Sequence, residues 1–550
     1  MAIPRKIPFS ARPALWHLVL LGALLWGGEY LRRDLWEPDE ARYAYVAREM
    51  AQDGHWLVPH RSGEYYAHKP PLLFWLINLS SFATGLPIGR IPVRLPGFFA
   101  GLLALWATAR LAGRWAGEKA AWPAVLTLCT TYLFWHEIGF SRMDGPLLGW
   151  TMGALVLLFL NDDSPSFWRP ALAWLCMGLG ILTKGPVGLL VPAGAYAAAR
   201  FAAGEGRLLK KSHWLWGPPI ALALPALWLG LAWLQGAPDG YFRELLFSQN
   251  LERAAGELGH RRPLYYFLTT LPADLLPWTL CLPAAALILF RNPDRRVLLR
   301  RLGGWILFIF VFFSLVTSKR NIYVLGLFPA VAILVGSAWP GLDAATFRWA
   351  RFARSAFLLL LSVSGPALLI AGFVPRLPIP GWTLWPSGIV ATLGGIVLWR
   401  ESKQPHPPRF FLTATAIFLA VQWTVGLFVY PAVNPLKTPA ALARAVQERL
   451  PPDRPLLIYR INGEILALYS NRRGEVLRTP EELLAAMARE RKGFVVFQKR
   501  EFDAWPAGAP RLSGQTGEFR SGSRRYVWLE FDLANPQPAA THPSGGGSNG

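Results

Sequence analysis

The stretch from Leu15 to Tyr30 reads LWHLVLLGALLWGGEY, an apolar run that suits the interior of a lipid bilayer. Arg5, Lys6 and Arg12 precede it, so this part of the chain resembles the charged beginning of a secretory signal. No small-residue cleavage site is found before Arg32. We therefore interpret the run as an uncleaved signal anchor whose N-terminus is cytoplasmic.

The composition of the 550-residue chain is that of a polytopic membrane protein, because 53% of its residues are hydrophobic and only 16% are charged. The formal net charge of +22 does not indicate nucleic-acid binding, since the basic residues are spread between apolar runs instead of lining one soluble face. Cys129, Cys176 and Cys281 all fall within apolar runs and offer neither a disulfide framework nor zinc-ligand spacing. They are predicted to be packing residues.

Apolar windows of about twenty residues recur along the chain and predict a mainly α-helical membrane bundle of about thirteen spans. The windows lie near residues 15–30, 92–110, 121–139, 145–160, 170–184, 186–201, 214–234, 272–290, 303–317, 322–339, 355–374, 382–399 and 410–430. With the N-terminus inside, the inward connections are rich in Lys and Arg, as short cytoplasmic loops should be. An odd number of spans then puts the C-terminus on the periplasmic side.

The chain is predicted to divide into a membrane domain, a small soluble domain and a tail. Residues 1–431 form the membrane domain, within which residues 31–91 are a first periplasmic loop with interfacial helices. Residues 432–534 have the composition of a periplasmic α/β domain. Residues 535–550 are rich in Pro, Gly and Ser and are predicted to be a disordered tail.

Local patterns within the soluble domain predict three strands and one helix. Leu456–Tyr459, Phe494–Phe497 and Tyr526–Phe531 have the composition of strands. Thr479-Pro480-Glu481-Glu482 is typical of a helix start, because it combines a hydroxyl cap, a proline in the first turn and acids at the positive end of the helix dipole.

The acidic motif Glu37-Pro38-Asp39-Glu40-Ala41-Arg42-Tyr43 follows the first span, and further polar motifs collect in the other outward connections. These outward polar residues are Asp39, Arg42, Tyr43, Tyr65, Tyr66, His68, Lys69, Arg142, Asp144, Thr183, Lys184, His260, Arg261, Arg262, Lys319, Arg320 and Tyr323. An ionisable group buried at the membrane costs several kcal/mol without a partner, so their convergence on one side predicts a functional site.

A phosphate-linked lipid substrate would need cations and phenols for its phosphate and an apolar groove for its tail. Lys69, Arg262 and Tyr323 supply such headgroup ligands, and Lys69 and Arg262 each directly precede an aromatic, membrane-hugging segment. Two plainer interpretations stay open. A basic residue beside aromatics is commonly an interfacial anchor, and Pro38-Asp39-Glu40 is also the acidic first turn of a helix running to about Met50.

Histidines in the outward loops raise the question of a metal. His55, His60 and His68 share the first loop, and His260 belongs to a later one. Their spacing matches no closed zinc motif. A divalent metal therefore stays an alternative to solvated or hydrogen-bonded histidines, and no other cofactor is predicted.

Several motifs in series resemble one enzyme family. Glu37 to Tyr43, Lys69-Pro70-Pro71-Leu72, Arg142 to Leu147, Leu182 to Pro186 and Ser318 to Tyr323 together are similar to the bacterial aminoarabinose transferases of lipid A. That family belongs with the protein O-mannosyltransferases among the C-type integral-membrane glycosyltransferases. The resemblance covers the whole membrane portion in order.

The resemblance implies an inner-membrane enzyme that moves a sugar, 4-amino-4-deoxy-L-arabinose, from undecaprenyl phosphate to lipid A on the periplasmic side. It implies an essential acid that matches Asp39, a phosphate-contacting lysine that matches Lys69, and further phosphate contacts that match Arg262 and Tyr323. Two departures bear on the sugar and the acceptor: His68 stands where the family often has an acid, and Arg320-Asn321 replaces the more usual Gly-Lys.

Placement and resemblance together predict three groups of site residues. The catalytic group is Asp39, Asp144 and Glu40; the lipid-phosphate ligands are Lys69, Arg262, Tyr323, Arg42, Tyr66 and Lys319; the other substrate contacts are Tyr43, Lys184, His260 and His68. Asp39 is a general base if the acceptor is a hydroxyl, whereas an ionised phosphate acceptor needs none. Two alternative functions stay open: transfer to protein or another glycan, and a flippase that moves a lipid-linked saccharide without chemistry.

Overall fold

The computed structural model describes residues 12–207, 211–247, 261–345, 347–403, 409–450, 455–461, 463–505, 515–521 and 524–533. His260 and the predicted tail 535–550 lie outside the described residues. The described chain is mainly helical, as the sequence predicts. Its helices of the membrane portion are α1 Leu15–Arg32, α2 Asp39–Asp53, α3 Leu72–Thr84, α4 Arg90–Ala116, α5 Ala121–Thr130, α6 Tyr132–Gly139, α7 Asp144–Asp163, α8 Trp168–Lys184, α9 Val187–Ala202, α10 His213–Leu234, α11 Asp239–Arg243, α12 Tyr266–Asp274, α13 Leu282–Arg291, α14 Arg296–Leu315, α15 Phe328–Ala344, α16 Arg348–Ala371, α17 Trp385–Ser402, α18 Phe410–Thr424 and α19 Tyr430–Lys437.

Within the described ranges, eight helices are long and apolar enough to cross a membrane. They are Arg90–Ala116, Asp144–Asp163, His213–Leu234, Pro293–Leu315, Asn321–Ala344, Arg348–Ala371, Gly381–Ser402 and Phe410–Lys437. A ninth span is possible if the pair Tyr266–Asp274 and Trp278–Arg291, bent by 100°, counts as one. Four other predicted windows also contain helix, in α1, α5 with α6, α8 and α9. The count of thirteen therefore stays a prediction.

The predicted window 121–139 is not one continuous helix. Thr131 adopts an extended conformation with φ −72° and ψ 124°, which ends α5 and starts α6. The hydroxyl groups of Thr130 and Thr131 donate to carbonyls of the preceding turn, at Leu126 and Thr127. This break turns α6 so that it leads into the loop before α7, where a site arginine lies.

Close packing of α4 against α7 sets the position of the acidic start of α7. A side chain on Gly149 would lie 2.8 Å from the Cβ of Ala100, and one on Gly145 would lie 3.6 Å from the Cα of Gly97. Small residues let two helix backbones approach closely within a membrane, where apolar burial between helices supplies little driving force. Asp144, the first residue of α7, is thereby held against the membrane bundle.

The first loop folds as α2, a short antiparallel hairpin of β1 His60–Arg61 with β2 Glu64–Tyr65, and α3. The expectation of a helix starting at the acidic motif is confirmed. Gly54 ends α2 with φ 74°, a left-handed conformation that glycine adopts without strain. Tyr43, Tyr66 and Phe74 belong to one buried apolar cluster that joins α2, the hairpin and α3.

The C-terminal part contains a mixed five-stranded sheet in the order β4-β3-β5-β7-β6. Its strands are β3 Leu456–Tyr459, β4 Gly474–Leu477, β5 Lys492–Gln498, β6 Gln515–Ser521 and β7 Arg524–Asp532, and its helices are α20 Ala440–Arg449, α21 Glu464–Tyr469, α22 Pro480–Glu490 and α23 Lys499–Asp503. The three predicted strands are confirmed, as is the helix that Thr479 caps through the N–H of Glu482. Strand β3 pairs in parallel with β4 and β5, while β7 pairs antiparallel with β5 and β6.

Candidate active site

Glu40 is enclosed by protein. Its carboxylate accepts hydrogen bonds from Arg33 at 2.6 and 3.0 Å, from Arg94 at 2.8 Å, and from the N–H groups of Trp36 and Ser141 at 3.0 and 3.1 Å. Burial would raise the pKa of the Glu40 carboxyl, but the two guanidinium groups outweigh it and hold that pKa well below its usual range. The sequence prediction puts Glu40 among the catalytic acids, whereas its enclosure fits a residue that positions its neighbour Asp39.

Asp39 lies on the opposite side of this turn and meets three arginines. Its Oδ1 accepts from Arg42 at 2.9 Å, and its Oδ2 lies 3.3 Å from Arg142 and 3.5 Å from Arg320. The three guanidinium groups come from α2, from the loop before α7 and from the segment before α15. Arg142 also pairs with the buried Glu137 at 2.6 Å. The acidic motif is therefore the meeting point of three distant parts of the chain.

Asp144 and Lys184 form an ion pair between the start of α7 and the end of α8. The Lys184 Nζ also lies 4.5 Å from the centre of the Tyr323 ring. Asp144 is 8% exposed, and the Lys184 side chain is 16% exposed. Lys184 thus contacts both Asp144 and Tyr323, and all three residues are singled out from the sequence.

A cavity of about 390 Å³ joins these residues to the first loop. One part of its lining is polar and comprises His68, Lys69, Asp144, Lys184, Ser318 and Tyr323. The remaining walls are largely apolar and include Leu147, Ile181, Val187, Leu190, Leu229, Leu245, Leu246, Phe312, Phe313 and Val316. A lining that combines cationic and phenolic groups with many apolar side chains suits an amphiphile with an anionic headgroup.

The aromatic residues of the first loop support this polar end. Tyr66 is buried, and its ring centre lies 5.0 Å from that of His68 and 6.0 Å from that of Phe74. The Arg42 guanidinium lies 5.8 Å from the centre of the buried Tyr43 ring. Tyr43 and Tyr66 therefore pack around the arginine that holds Asp39, and neither lines the cavity itself.

His68 lies at the cavity edge and pairs with Glu244, its Nε2 atom 3.1 Å from the carboxylate. Burial lowers the pKa of His68, and the neighbouring charges of Arg42 and Lys69 lower it further, while Glu244 opposes them.

In the part of the chain that the structure describes, no three His, Cys, Asp or Glu side chains are grouped so as to hold a metal ion. The rings of His55 and His60 are tilted against each other, with their centres 3.9 Å apart.

Two predicted phosphate ligands are held outside the cavity. Lys319 is buried and its Nζ donates to the carbonyl oxygen of Arg262 at 3.1 Å. The Arg262 guanidinium lies 5.7 Å from the Tyr266 ring centre, and the Arg262 N–H donates to Thr317. The segment of Arg262 and the segment of Lys319 are therefore joined by hydrogen bonds to backbone atoms. Neither of these two side chains belongs to the described lining of the cavity.

Three residues around Asp39 were not among the predicted site residues, namely Arg142, Arg320 and Glu137. Arg142 and Arg320 stand inside the motifs quoted above, so the signal was available there. Glu137 lies within an apolar window, where a lone acid is a functional indication in its own right. Its Oε2 atom has no hydrogen-bond partner among the described residues.

The chain is similar in sequence to one protein family and to curated transferases. Residues 68–233 match the model of the dolichyl-phosphate-mannose-protein mannosyltransferase family. The chain is 28% identical over 451 residues to an undecaprenyl phosphate-alpha-4-amino-4-deoxy-L-arabinose arabinosyl transferase of Edwardsiella ictaluri, covering 77% of this chain and 78% of that protein. It is 29% identical over 409 residues to the protein of the same name from Shewanella sediminis, covering 72% of this chain and 73% of that protein.

The fold has solved counterparts. The crystal structure of ArnT from Cupriavidus metallidurans bound to undecaprenyl phosphate superposes with a TM-score of 0.76 at 21% identity, covering 94% of this chain and 98% of that chain. Its apo form gives a TM-score of 0.72 at 19% identity, covering 93% and 97%. Together with the apolar spanning helices, these matches assign the chain to the integral-membrane glycosyltransferases.

Within that class, the chain is similar to the aminoarabinose transferases, among the protein O-mannosyltransferase-like glycosyltransferases of the C type.

Proposed function

We propose that the protein transfers 4-amino-4-deoxy-L-arabinose from undecaprenyl phosphate to lipid A. The observation that carries the proposal is the one cavity whose lining includes Lys69, Lys184 and Tyr323 together with many apolar side chains. The relatives from Edwardsiella ictaluri and Shewanella sediminis carry this donor in their names. A phosphate at the cationic end and a polyprenyl tail along the apolar walls match the two halves of such a donor.

In this reaction the bond between the sugar's anomeric carbon and the phosphate oxygen breaks while an acceptor oxygen attacks that carbon. Negative charge grows on the departing phosphate, and preorganised cations there lower the barrier. Lys69 is placed for this role because it lines the polar end of the cavity. Lys184 faces the same end, with Asp144 and Tyr323 holding its ammonium group in place.

The charged residues around Asp39 support a proposal for the acceptor. Arg42, Arg142 and Arg320 all approach the one carboxylate of Asp39, and the Arg320 side chain is nearly half exposed. An exposed guanidinium group at this place favours an anionic acceptor such as a lipid A phosphate. Since such a phosphate is already ionised, Asp39 serves to orient the arginines instead of removing a proton.

The proposed setting is the bacterial inner membrane, with the site and the five-stranded sheet on the periplasmic side. The support is the Lys and Arg enrichment of the inward connections. We propose the same division of the chain as the sequence predicts, with residues 1–431 as the membrane transferase domain and residues 432–534 as the periplasmic domain.

The decisive experiment uses purified full-length protein in detergent or nanodiscs with radiolabelled undecaprenyl phosphate-linked aminoarabinose. Label should move to lipid A, and it should move far more slowly to lipid A from which the phosphates have been removed. Transfer to a serine- and threonine-containing peptide instead would replace lipid A with a protein acceptor. A protein that moves the donor across a vesicle membrane and yields no glycosylated product would be a flippase.

A further inference from the structure

Helix α21 of the C-terminal part packs directly on the first loop. The Tyr469 hydroxyl accepts a hydrogen bond from the N–H of Leu35 at 2.9 Å and lies 3.5 Å from the carboxylate of Asp34. Leu468 and Tyr469 pack against the buried cluster that contains Tyr43. The apolar core beneath the acidic motif is therefore completed by a segment more than 400 residues later in the chain.

The C-terminal end of this helix is held by Arg48 of α2. The Arg48 guanidinium donates to the carbonyl oxygens of Ala467 at 2.8 Å, Leu468 at 3.4 Å and Arg472 at 3.2 Å. A cation at a helix C-terminus satisfies carbonyls that have no partner within the helix and complements the helix dipole. The orientation of α21 on α2 is thus fixed from its last turn.

The first residue of the same helix, Glu464, reaches the hairpin of the first loop. Its buried carboxylate pairs with the guanidinium of Arg61 in β1, which is about one quarter exposed. Burial would lower the pKa of Arg42, and Asp39 and Glu464 are among the groups that outweigh it. The carboxylate of Glu464 therefore acts on both cations beside the acidic motif.

The hairpin is followed in sequence by residues that line the cavity. The N–H of Tyr66 donates to the carbonyl of Pro59 at 2.8 Å and closes the hairpin at its base. The chain then continues through His68 to Lys69, both of which line the cavity. Only Ala67 and His68 separate Tyr66 from Lys69, so the place of Lys69 depends on the place of the hairpin.

We propose that Glu464 is a positioning residue of the transferase site and that the C-terminal domain, through it, sets the place of Lys69. The proposal deepens the proposed function and rests on it for the identity of the donor. Removing the charge of Glu464 leaves the largely buried guanidinium of Arg61 without its anionic partner. The hairpin must then shift so that water can solvate this guanidinium. Misplacing a reacting group by about 1 Å costs on the order of 10² in rate.

The structure offers a matched control on the same hairpin. Glu64 of β2 pairs with Arg478 of the C-terminal part at 2.8 Å, but both side chains are more than 60% exposed. Exposed ion pairs of this kind contribute about 0–1 kcal/mol. Glu64→Gln therefore removes a contact between the same two parts of the chain without disturbing a buried partner.

The experiment compares wild type, Glu464→Gln and Glu64→Gln as purified full-length proteins, with the active fraction measured in each. We expect Glu464→Gln to lower kcat/KM for the donor by about 10-fold to 100-fold, mainly through a raised donor KM, as misplaced positioning groups do. Glu64→Gln should stay within about twofold, the size expected of an exposed pair. Exchanging the charges, Arg61→Glu with Glu464→Arg, should restore most of the loss.

The donor KM separates positioning from a purely structural role. A structural loss would reduce the active fraction and the melting temperature but leave the KM of the active molecules unchanged, and that result would overturn the proposal. If wild type transferred no sugar, the proposed function would be wrong, and the positioning role of Glu464 would still need its own test. The affinity of wild type and Glu464→Gln for undecaprenyl phosphate would then decide the positioning role, and equal affinities would overturn it.

Discussion

The carboxylate of Asp39 lies 3.3 Å from the guanidinium of Arg142. Asp39 begins the helix of the first loop, whereas Arg142 precedes a membrane-spanning helix, so this contact fastens the loop to the bundle. Both oxygens of the carboxylate are engaged by guanidinium groups, Oδ1 by Arg42 and Oδ2 by Arg142 and Arg320. Such a carboxylate orients cations, and a group that accepts a proton from a hydroxyl would present a free oxygen to the substrate.

The first prediction concerns Asp39→Asn. Turnover should fall by about 10-fold to 100-fold, since the arginines lose the anion that aligns them. The pH-rate profile should keep its shape, because no proton is removed from an ionised phosphate acceptor. Rates of wild type and variant measured from pH 5 to pH 9 check this. Disappearance of the acidic limb in the variant would instead make Asp39 a general base.

Arg320 gives a prediction about the acceptor. Its side chain is nearly half exposed and its guanidinium is the farthest of the three from Asp39, at 3.5 Å, so it is the one most open to a ligand. Arg320→Ala should raise the KM for lipid A about 10-fold, in keeping with loss of one charge-assisted hydrogen bond. The donor KM should stay unchanged. A variant with the opposite split, a raised donor KM and a normal acceptor KM, would move Arg320 to the donor side.

Lys69 gives the prediction for the leaving group. Lys69→Ala should lower kcat by about 10² to 10³, the usual cost of one preorganised donor to a developing oxyanion. Lys119→Ala, which changes an exposed lysine just after the end of α4, is the control and should behave as wild type. Single-turnover kinetics with matched amounts of folded protein measure the effect. Near-normal turnover by Lys69→Ala would leave the departing phosphate to other cations.

The sequence was sufficient to single out much of the polar lining of the cavity. Lys69, Asp144, Lys184 and Tyr323 are all singled out there, and the structure brings them into one cavity. The reason is that each stands beside the end of a span or loop helix, and helix ends on one face of a bundle are brought together by topology alone. Lys319 shows the limit, because its hydrogen bond to the carbonyl of Arg262 depends on how two loops run beside each other.

The two adjacent acids show another limit. Asp39 and Glu40 are equivalent in sequence, and only the positions of Arg33 and Arg94 decide that Glu40 is enclosed. These arginines come from the end of α1 and the start of α4, so the difference arises from tertiary packing. The break at Thr131 likewise depends on surroundings, since its composition is that of a continuous apolar helix.

Glu40 gives the last prediction, which concerns stability. The ion pairs of Glu40 with Arg33 and Arg94 have almost no exposed surface, so Glu40→Gln leaves two buried cations short of a partner. Loss of one partner from such a group costs about 3–5 kcal/mol, far more than the exposed pair of Glu64 contributes. Because the folded pKa of Glu40 is depressed, its contribution is present above the unfolded value of about 4.3 and is lost as the pH falls below it. Melting temperatures measured in detergent from pH 6 down to pH 2 should therefore fall more steeply for wild type than for Glu40→Gln, with the difference developing below about pH 4.3. Parallel curves for the two proteins would show that Glu40 adds no pH-dependent stability.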